Sequence, residues 1–344
     1  MGNLLSYGGI VTKIRAMQAN LIHSEDYQVI ANLESTSEFI AFLKNHPGYR
    51  EIFYNYDEHV LHRGQAEKVF INGLYQDFSK IYEFADLEQR NDLNLIFFRY
   101  EVDVLKSCLL MIYANIKDYT LDIFTPFFDR HSNIDIKTLT SSQSITEYIN
   151  NLKDTPYYSL LNNLSTTQPP TPFDCQMQLD IYYFKKAWQL KDKLLKGENQ
   201  SAFTHRLGSE IDLLNVLWLY RSKKYFNVRS TDSYAYVIPI TYKLTKAKLV
   251  QLMDAASIEE FITLIKATHY EPLISSMADG SMENTCQKLI EKIYKDNSSL
   301  YPASMSPVNY YLYQKQTEIR RLITALECIR YKLGPQETLK YVLT

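Results

Sequence analysis

The apolar positions of this chain recur at helical spacing from one end to the other. Ile10, Ile14, Met17 and Leu21 are separated by four, three and four residues, and Leu95, Phe98, Val102, Leu105, Leu109, Ile112 and Ile116 alternate threes and fours. Such spacing lays one apolar stripe along one helix face, and it predicts helices near 4–23, 61–85, 91–117, 174–196, 200–225, 245–254, 257–267, 282–296 and 306–332. The helices near 61–85 and 91–117 are expected to pack against each other antiparallel. Polar or Pro/Gly-containing stretches punctuate the pattern: His46-Pro47-Gly48, the loop over 165–172, the polar run over 227–233, and Gly334-Pro335. Val237-Ile238-Pro239-Ile240 alone could pass for a strand, and it reads as an extended linker. The fold class is all-α.

One stretch occurs three times. Residues 35–44 read S-T-S-E-F-I-A-F-L-K, residues 144–153 read S-I-T-E-Y-I-N-N-L-K, and residues 257–266 read S-I-E-E-F-I-T-L-I-K. In each copy the Ser side chain can cap a new helix while the Glu three residues later reaches back to the cap. The aromatic, the isoleucine and the Leu or Ile that follow form the apolar stripe. A second landmark recurs with it. Glu101-Val102-Asp103, Glu210-Ile211-Asp212 and Glu318-Ile319-Arg320 each begin an apolar ladder: Val102, Leu105, Leu109; then Ile211, Leu214, Trp218; then Ile319, Leu322, Leu326. The first landmark steps by 109 and 113 residues and the second by 109 and 108. The difference falls between the landmarks, where loops absorb length. The chain thus divides into three tandem helical repeats, 1–118, 119–230 and 231–344.

Composition narrows the function. Apolar residues make up 46% of 344, enough for a core, and the net charge of −2 gives no global field for nucleic acid or an anionic membrane. Cys108, Cys175, Cys286 and Cys328 lie far apart with no C-x-x-C pair, which indicates a reducing compartment and no zinc site. The longest apolar stretch, residues 108–116, is too short to span a bilayer, so the chain reads as soluble yet able to sit on a membrane complex. Met1-Gly2-Asn3-Leu4-Leu5-Ser6 formally matches a myristoylation signal, in residues that lead straight into the first helix. The 28 tyrosines suit helix–helix contacts, where an amphipathic ring can bury its body and keep a polar handle.

Candidate chemistry is sparse. The ten glycines form neither a phosphate loop nor a G-x-G-x-x-G turn. His59 and His62 could share a helix face as metal ligands, but no third ligand is nearby and a surface pair is the plainer reading. Cys175 reads as an ordinary small apolar residue. A carboxylate recurring at Glu101, Glu210 and Glu318 could carry protons or act as a base. Its recurrence in a repeat favours hydrogen bonding at a helix crossing within each repeat. Asp212 beside Glu210, and Arg320-Arg321 beside Glu318, read as ion pairs setting helix register. No catalytic, cofactor-binding or metal-ligating residue is expected, and neither cofactor nor small-molecule ligand.

Several blocks together resemble one family. Tyr7-Gly8-Gly9-Ile10-Val11-Thr12-Lys13-Ile14-Arg15-Ala16 is similar to the tyrosine-led, basic opening helix of the C-subunit family of bacterial and archaeal V/A-type rotary ATPases, whose eukaryotic counterpart is the d subunit of the V-ATPase. Glu210-Ile211-Asp212-Leu213-Leu214-Asn215, with Leu219-Tyr220-Arg221-Ser222-Lys223 after it, resembles that family's E-[IV]-D-x-x-N core. Ile238-Pro239-Ile240-Thr241-Tyr242-Lys243-Leu244 resembles its Pro-centred entry to the third repeat, with Thr241 where a glycine is frequent. Ile319-Arg320-Arg321-Leu322-Ile323 and Lys332-Leu333-Gly334-Pro335-Gln336-Glu337 are similar to its ending, one residue shorter.

The resemblance covers the whole chain in order. It implies three helical domains about a pseudo-threefold axis, forming a funnel with a central socket. It also implies a non-catalytic rotor subunit, peripheral on the cytoplasmic face of the membrane, that joins the central-stalk subunits to the proteolipid ring and transmits torque for proton or sodium transport. The alternative is a helical-repeat scaffold for other cytosolic proteins, although solenoid repeats of about 34–47 residues are much shorter than these.

Overall fold

The computed structural model describes residues 2–57, 61, 63–115, 125–166, 171–225, 233–275 and 281–343, and among these the regular structure is helical throughout. The chain forms two compact bodies. Body one is discontinuous in sequence. It contains α1 (Gly2–Gln18), α2 (Ser24–Ala31), α3 (Thr36–Asn45), α4 (Arg50–Phe53) and α5 (Arg63–Phe84) from the start of the chain. The end of the chain supplies α17 (Ser306–Arg330) and α18 (Pro335–Leu343).

Body two contains α6 (Leu87–Ala114), most of α7 (Thr125–His131), α8 (Ile136–Thr140), α9 (Ile145–Asn150), α10 (Pro156–Asn162), α11 (Pro172–Leu194) and α12 (Gly197–Tyr225). It continues through α13 (Lys246–Asp254), α14 (Ile258–Lys266), α15 (Glu271–Ser275) and α16 (Met282–Leu300). Among the described residues, no helix is long and apolar enough to cross a membrane.

The thrice-repeated segment starts a helix each time. Ser35, Ser144 and Ser257 have extended backbones, and their hydroxyls accept from the N–H groups of Glu38, Glu147 and Glu260 at 3.1–3.2 Å. The glutamates return the contact one residue earlier than a capping box requires. Glu38, Glu147 and Glu260 accept from the N–H groups of Glu34, Gln143 and Ala256, the residues before each cap, at 2.8–2.9 Å. The stripe behind the cap is buried as the spacing predicts: Phe39, Tyr148 and Phe261 are each wholly enclosed. Phe39, Tyr49 and Phe53 surround Phe70 of α5 edge-on, with ring centroids 5.4–6.3 Å apart. At about 1.5–3 kcal/mol for each fully buried large apolar side chain, such a cluster anchors α3, α4 and α5 to one another.

Two expectations change. The helices over 61–85 and 91–117 do form, as α5 and α6, but they fall in different bodies. Each packs on another long helix: α5 on α17, where the Tyr311 hydroxyl donates to Asp77 at 2.7 Å, and α6 on α11, where Phe98 meets Tyr182 and Tyr183 and Lys106 pairs with Asp180 at 2.7 Å. The first helix stops at Gln18 rather than near residue 23, releasing Asn20 to Ile22 for a buried contact described below. The His59–His62 pair, Ile116 and most of the 227–233 run lie outside the described residues.

Candidate functional site

A carboxylate taken out of water costs stability unless its oxygens are hydrogen-bonded. Three such groups tie distant parts of the chain together. Glu318 on α17 is 4% exposed. Its Oε1 accepts from the Tyr49 hydroxyl at 2.6 Å and from Lys315 Nζ at 2.8 Å, and its Oε2 accepts from the Ile22 N–H at 2.5 Å. Lys315 Nζ lies 4.0 Å from the centroid of the Tyr49 ring. Burial, reinforced by the Glu318 carboxylate, holds the Tyr49 hydroxyl well above its ordinary pKa, so the phenol remains a donor.

Glu101 on α6 repeats this arrangement in body two. Its carboxylate accepts from the Tyr157 hydroxyl at 2.6 Å and from the Ser132 hydroxyl at 2.9 Å, while Ser132 Oγ accepts from the Ile134 N–H at 3.1 Å. Burial raises the pKa of Glu101 and the two hydroxyl donors oppose that rise. Tyr157 is raised by burial and then by Glu101.

Asp212 on α12 makes the third clamp. Its Oδ1 accepts from the Tyr242 N–H at 3.2 Å, and its Oδ2 from the Lys243 and Leu244 N–H groups at 2.8 Å and from the Tyr270 hydroxyl at 2.9 Å. One turn further on, Asn215 donates to the Ile238 carbonyl at 3.0 Å and accepts from the Ile238 N–H at 2.8 Å. The Val237–Ile240 stretch is therefore a linker pinned along α12, with Asn215 bonding both backbone groups of Ile238 and the Ile240 N–H turning back to the Ile238 carbonyl at 2.8 Å where a strand would use a ladder. One turn before Asp212, a Cβ on Gly208 would run into the Tyr242 ring. Gly208, Asp212 and Asn215 share one face of α12, and the glycine lets the segment lie close enough for the short aspartate to reach it.

In each clamp a long helix supplies the acid. The tyrosine lies 13 or 14 residues beyond a capping serine, at Tyr49, Tyr157 and Tyr270. The partners come from different sequence repeats, whereas the sequence suggested pairing within each repeat: Glu101 reaches Tyr157 of the second, Asp212 reaches Tyr270 of the third, and Glu318 reaches Tyr49 of the first. The recurring tyrosine after a Pro- or His-containing turn was the available signal, in Pro47-Gly48-Tyr49, Pro156-Tyr157 and His269-Tyr270.

Glu210, the expected equivalent of Glu101 and Glu318, does something else. Two residues apart on a helix means about 200° of rotation, so Glu210 and Asp212 face nearly opposite ways. Glu210 pairs with Arg99 at 2.5 Å and lies 3.6 Å from Arg206, whose guanidinium donates to the Tyr294 hydroxyl at 3.0 Å. The expected ion pairs at Asp212 and at Arg320-Arg321 are replaced as well. Asp212 binds backbone N–H groups, the cation on Glu318 is Lys315, and Arg320 donates to Thr317 at 3.0 Å.

The four cysteines are free and buried. Burial pushes the Cys175 thiol up to about 11 and those of Cys108 and Cys286 up to about 12, which leaves them protonated and unreactive at neutral pH.

Two open clefts adjoin the clamps. One of about 330 Å³ in body one is lined by residues that include Lys13, Asn20, Gly48, Lys80 and Lys315. Another of about 240 Å³ in body two has Glu101, His131, Pro156, Tyr182 and Lys186 among its walls.

Comparison with known proteins returns a consistent result. The family described as ATP synthase (C/AC39) subunit matches residues 10–341. The C subunit of the A-type ATP synthase of Methanobrevibacter smithii is 21% identical over 320 residues, covering 90% of this chain and 80% of the relative. That of Methanosarcina acetivorans is 22% identical, covering 92% and 87%, and that of Methanosphaera stadtmanae is 19% identical, covering 96% and 86%.

Proposed function

The chain belongs to the ATP synthase (C/AC39) subunit family, and from that premise we propose that it is a non-catalytic rotor subunit of a V/A-type ATP synthase or ATPase. In this reading it is peripheral on the cytoplasmic face of the membrane. There it couples the central stalk to the membrane-embedded proteolipid ring and transmits torque for proton or sodium transport. Its three helical repeats surround a socket that receives the foot of the stalk.

The observation that carries the reading is the family match over residues 10–341, together with relatives matched over most of their own length. Mechanics supports it. A ring of many identical subunits and a single asymmetric stalk need an adaptor that fits a different surface to each, and the adaptor must not yield under load. Each clamp joins segments far apart in sequence through two to four hydrogen bonds on one carboxylate, and those around Glu318 and Asp212 are buried. Charge-assisted bonds of this kind are worth about 1.5–3 kcal/mol each and resist shear between the helices they join.

Deletion of the chain tests the proposal. The ring and the soluble head should remain assembled, ATP hydrolysis should continue, and ATP-driven ion pumping should be lost. Normal pumping without the chain would refute it. Affinity purification separates the rotor from a general scaffold: the rotor reading expects central-stalk and proteolipid subunits to come down with the chain.

A further inference from the structure

The turn that delivers Tyr49 to Glu318 is held by a side chain that can take up a proton. His46 ends α3 and precedes Pro47, which keeps its backbone extended at φ −77° and ψ 132°. From there its Nδ1 accepts from the Gly48 N–H at 3.2 Å, and its carbonyl accepts from the N–H groups of Tyr49 and Arg50 at 3.0 and 2.9 Å. An amide N–H can only donate, so Nδ1 carries no proton and the neutral ring holds its hydrogen on Nε2. Nε2 lies 3.7 Å from Asp26 Oδ2, and the side chain is 10% exposed. The turn closed in this way is tight. A Cβ on Gly48 would run into the Asn20 carbonyl, two residues before the Ile22 N–H that also donates to Glu318.

A contact from the N–H two residues on, back to a side chain, is one that Asn, Asp, Ser and Thr make in turns. The turn before Tyr270 uses such a residue: the Thr268 hydroxyl accepts from the Tyr270 N–H at 3.1 Å. A hydroxyl keeps its lone pairs at any ordinary pH, whereas an imidazole gives up the Nδ1 lone pair when it binds a proton. Charged groups face His46 from every side. Asp26 and His23 do so from α2 and its cap, and Glu318 and Lys315 from α17. Arg50, next in the turn, donates to the Asn45 carbonyl at 3.4 Å, and the Phe42 and Tyr49 rings flank the imidazole with centroids 6.1 Å away. Burial holds His46 below its ordinary value of 6.5; Asp26 and Glu318 pull it back upward, and Lys315 and His23 add to the fall. Asp26 Oδ2 already accepts from the His23 N–H at 2.8 Å.

We propose that His46 is a proton-operated latch on the Tyr49 turn. Neutral, it holds the Gly48 N–H and so seats Tyr49 on Glu318. Protonated at Nδ1, it leaves that N–H without an acceptor and sets one N–H against another. The turn then opens. The Tyr49 hydroxyl loses its fixed approach to Glu318, and so does the Asn20–Ile22 segment packed against Gly48. A base held below its ordinary value in the folded state binds its proton more readily once unfolded. The latch's contribution is therefore fully present above about pH 6.5 and is lost as the pH falls from there through the folded value. Acidification thus softens the join of α3, α4 and α17. The latch lies wholly within body one and stands whether or not the rotor reading holds.

Hydrogen exchange in the purified full-length chain tests the latch. Protection of the Gly48, Tyr49 and Arg50 amides is read about one pH unit above and one below the ordinary histidine value, each corrected for the intrinsic exchange rate. In the unmodified chain it should fall several-fold on acidification. In His46→Asn, whose side-chain oxygen stands where Nδ1 did and does not titrate, it should stay constant. Equal protection at both pH values in the unmodified chain, or an equal fall in His46→Asn, overturns the proposal. The ring itself gives a second measurement that needs no variant. The nitrogen shifts of His46 should place the proton on Nε2 at the higher pH and give a titration midpoint below 6.5. A proton on Nδ1 at the higher pH, or a midpoint above 6.5, overturns it as well.

Discussion

The clamps at Asp212 and at Glu318 do the same work with different reach. Asp212 has a short side chain and collects three consecutive backbone N–H groups as well as the Tyr270 hydroxyl. Glu318 is one methylene longer, receives a single N–H from Ile22, and completes its shell with Tyr49 and Lys315. The residue four positions earlier on each helix accounts for much of the difference. Before Asp212 it is Gly208, over which the Tyr242 ring lies directly. Before Glu318 it is Gln314, whose Oε1 accepts from Gln18 Nε2 at 2.8 Å and so occupies the space above the helix. Before Glu101 it is Phe97, packed edge-on against Phe127 and Phe128. The short acid thus stands one turn after a glycine, and the two longer acids one turn after a large side chain.

This comparison can be broken by removing the acids. Asp212→Ala should cost about 4–5 kcal/mol in urea unfolding, because three N–H groups, that of Leu244 fully buried, and a buried phenol lose their acceptor. Glu101→Ala, which orphans two hydroxyls able to turn to water at the open cleft, should cost about 2–3 kcal/mol. Equal losses would mean that the count of backbone donors does not set the strength of a clamp.

The role of the glycine sharpens it. Gly208→Ala should destabilise by about 1–3 kcal/mol through collision with Tyr242, although alanine is the better helix former. The same change in a Tyr242→Ala background should be neutral or stabilising. A penalty that persists without the Tyr242 ring would rule out close approach as the reason for glycine there.

The smallest effect is on pH dependence. The folded pKa of Glu101 lies above its ordinary value of 4.5, so the folded state holds that proton more tightly than the unfolded one. Its contribution is then fully present below the ordinary carboxylate range and is lost as pH rises through the folded value. Between about pH 4 and pH 7 the unmodified protein should lose stability relative to Glu101→Gln. His131, which lines the same cleft and is shifted down by burial, contributes with the opposite sign but is common to both proteins and cancels in the difference. A difference in stability that is flat with pH would show that the hydroxyl donors cancel the effect of burial, and one that rises with pH that they outweigh it.

Local chemistry made much of this molecule legible in advance. The 3.6-residue period located nearly every long helix, since it needs only neighbours along the chain. Ser35, Ser144 and Ser257 announced three helix starts, because a cap is satisfied within four residues. Cys175 read as an ordinary small apolar residue and is buried. What periodicity could not carry was which helix packs on which, and with that which acid meets which tyrosine. Glu101, Glu210 and Glu318 align in sequence, yet Asp212 makes the second repeat's clamp, because a rotation of about 200° and the bare backbone at Gly208 decide which carboxylate meets the incoming segment. The helix near 306–330 was visible from its sequence. That it completes a body begun by residues 1–86 was not, because Glu318 finds Tyr49 and Ile22 only after the chain has returned across some 270–300 residues. Sequence alone determined the helical elements and the three recurring helix caps. Tertiary structure decided their pairing, since burial, side-chain reach and backbone approach are properties of segments brought together in space.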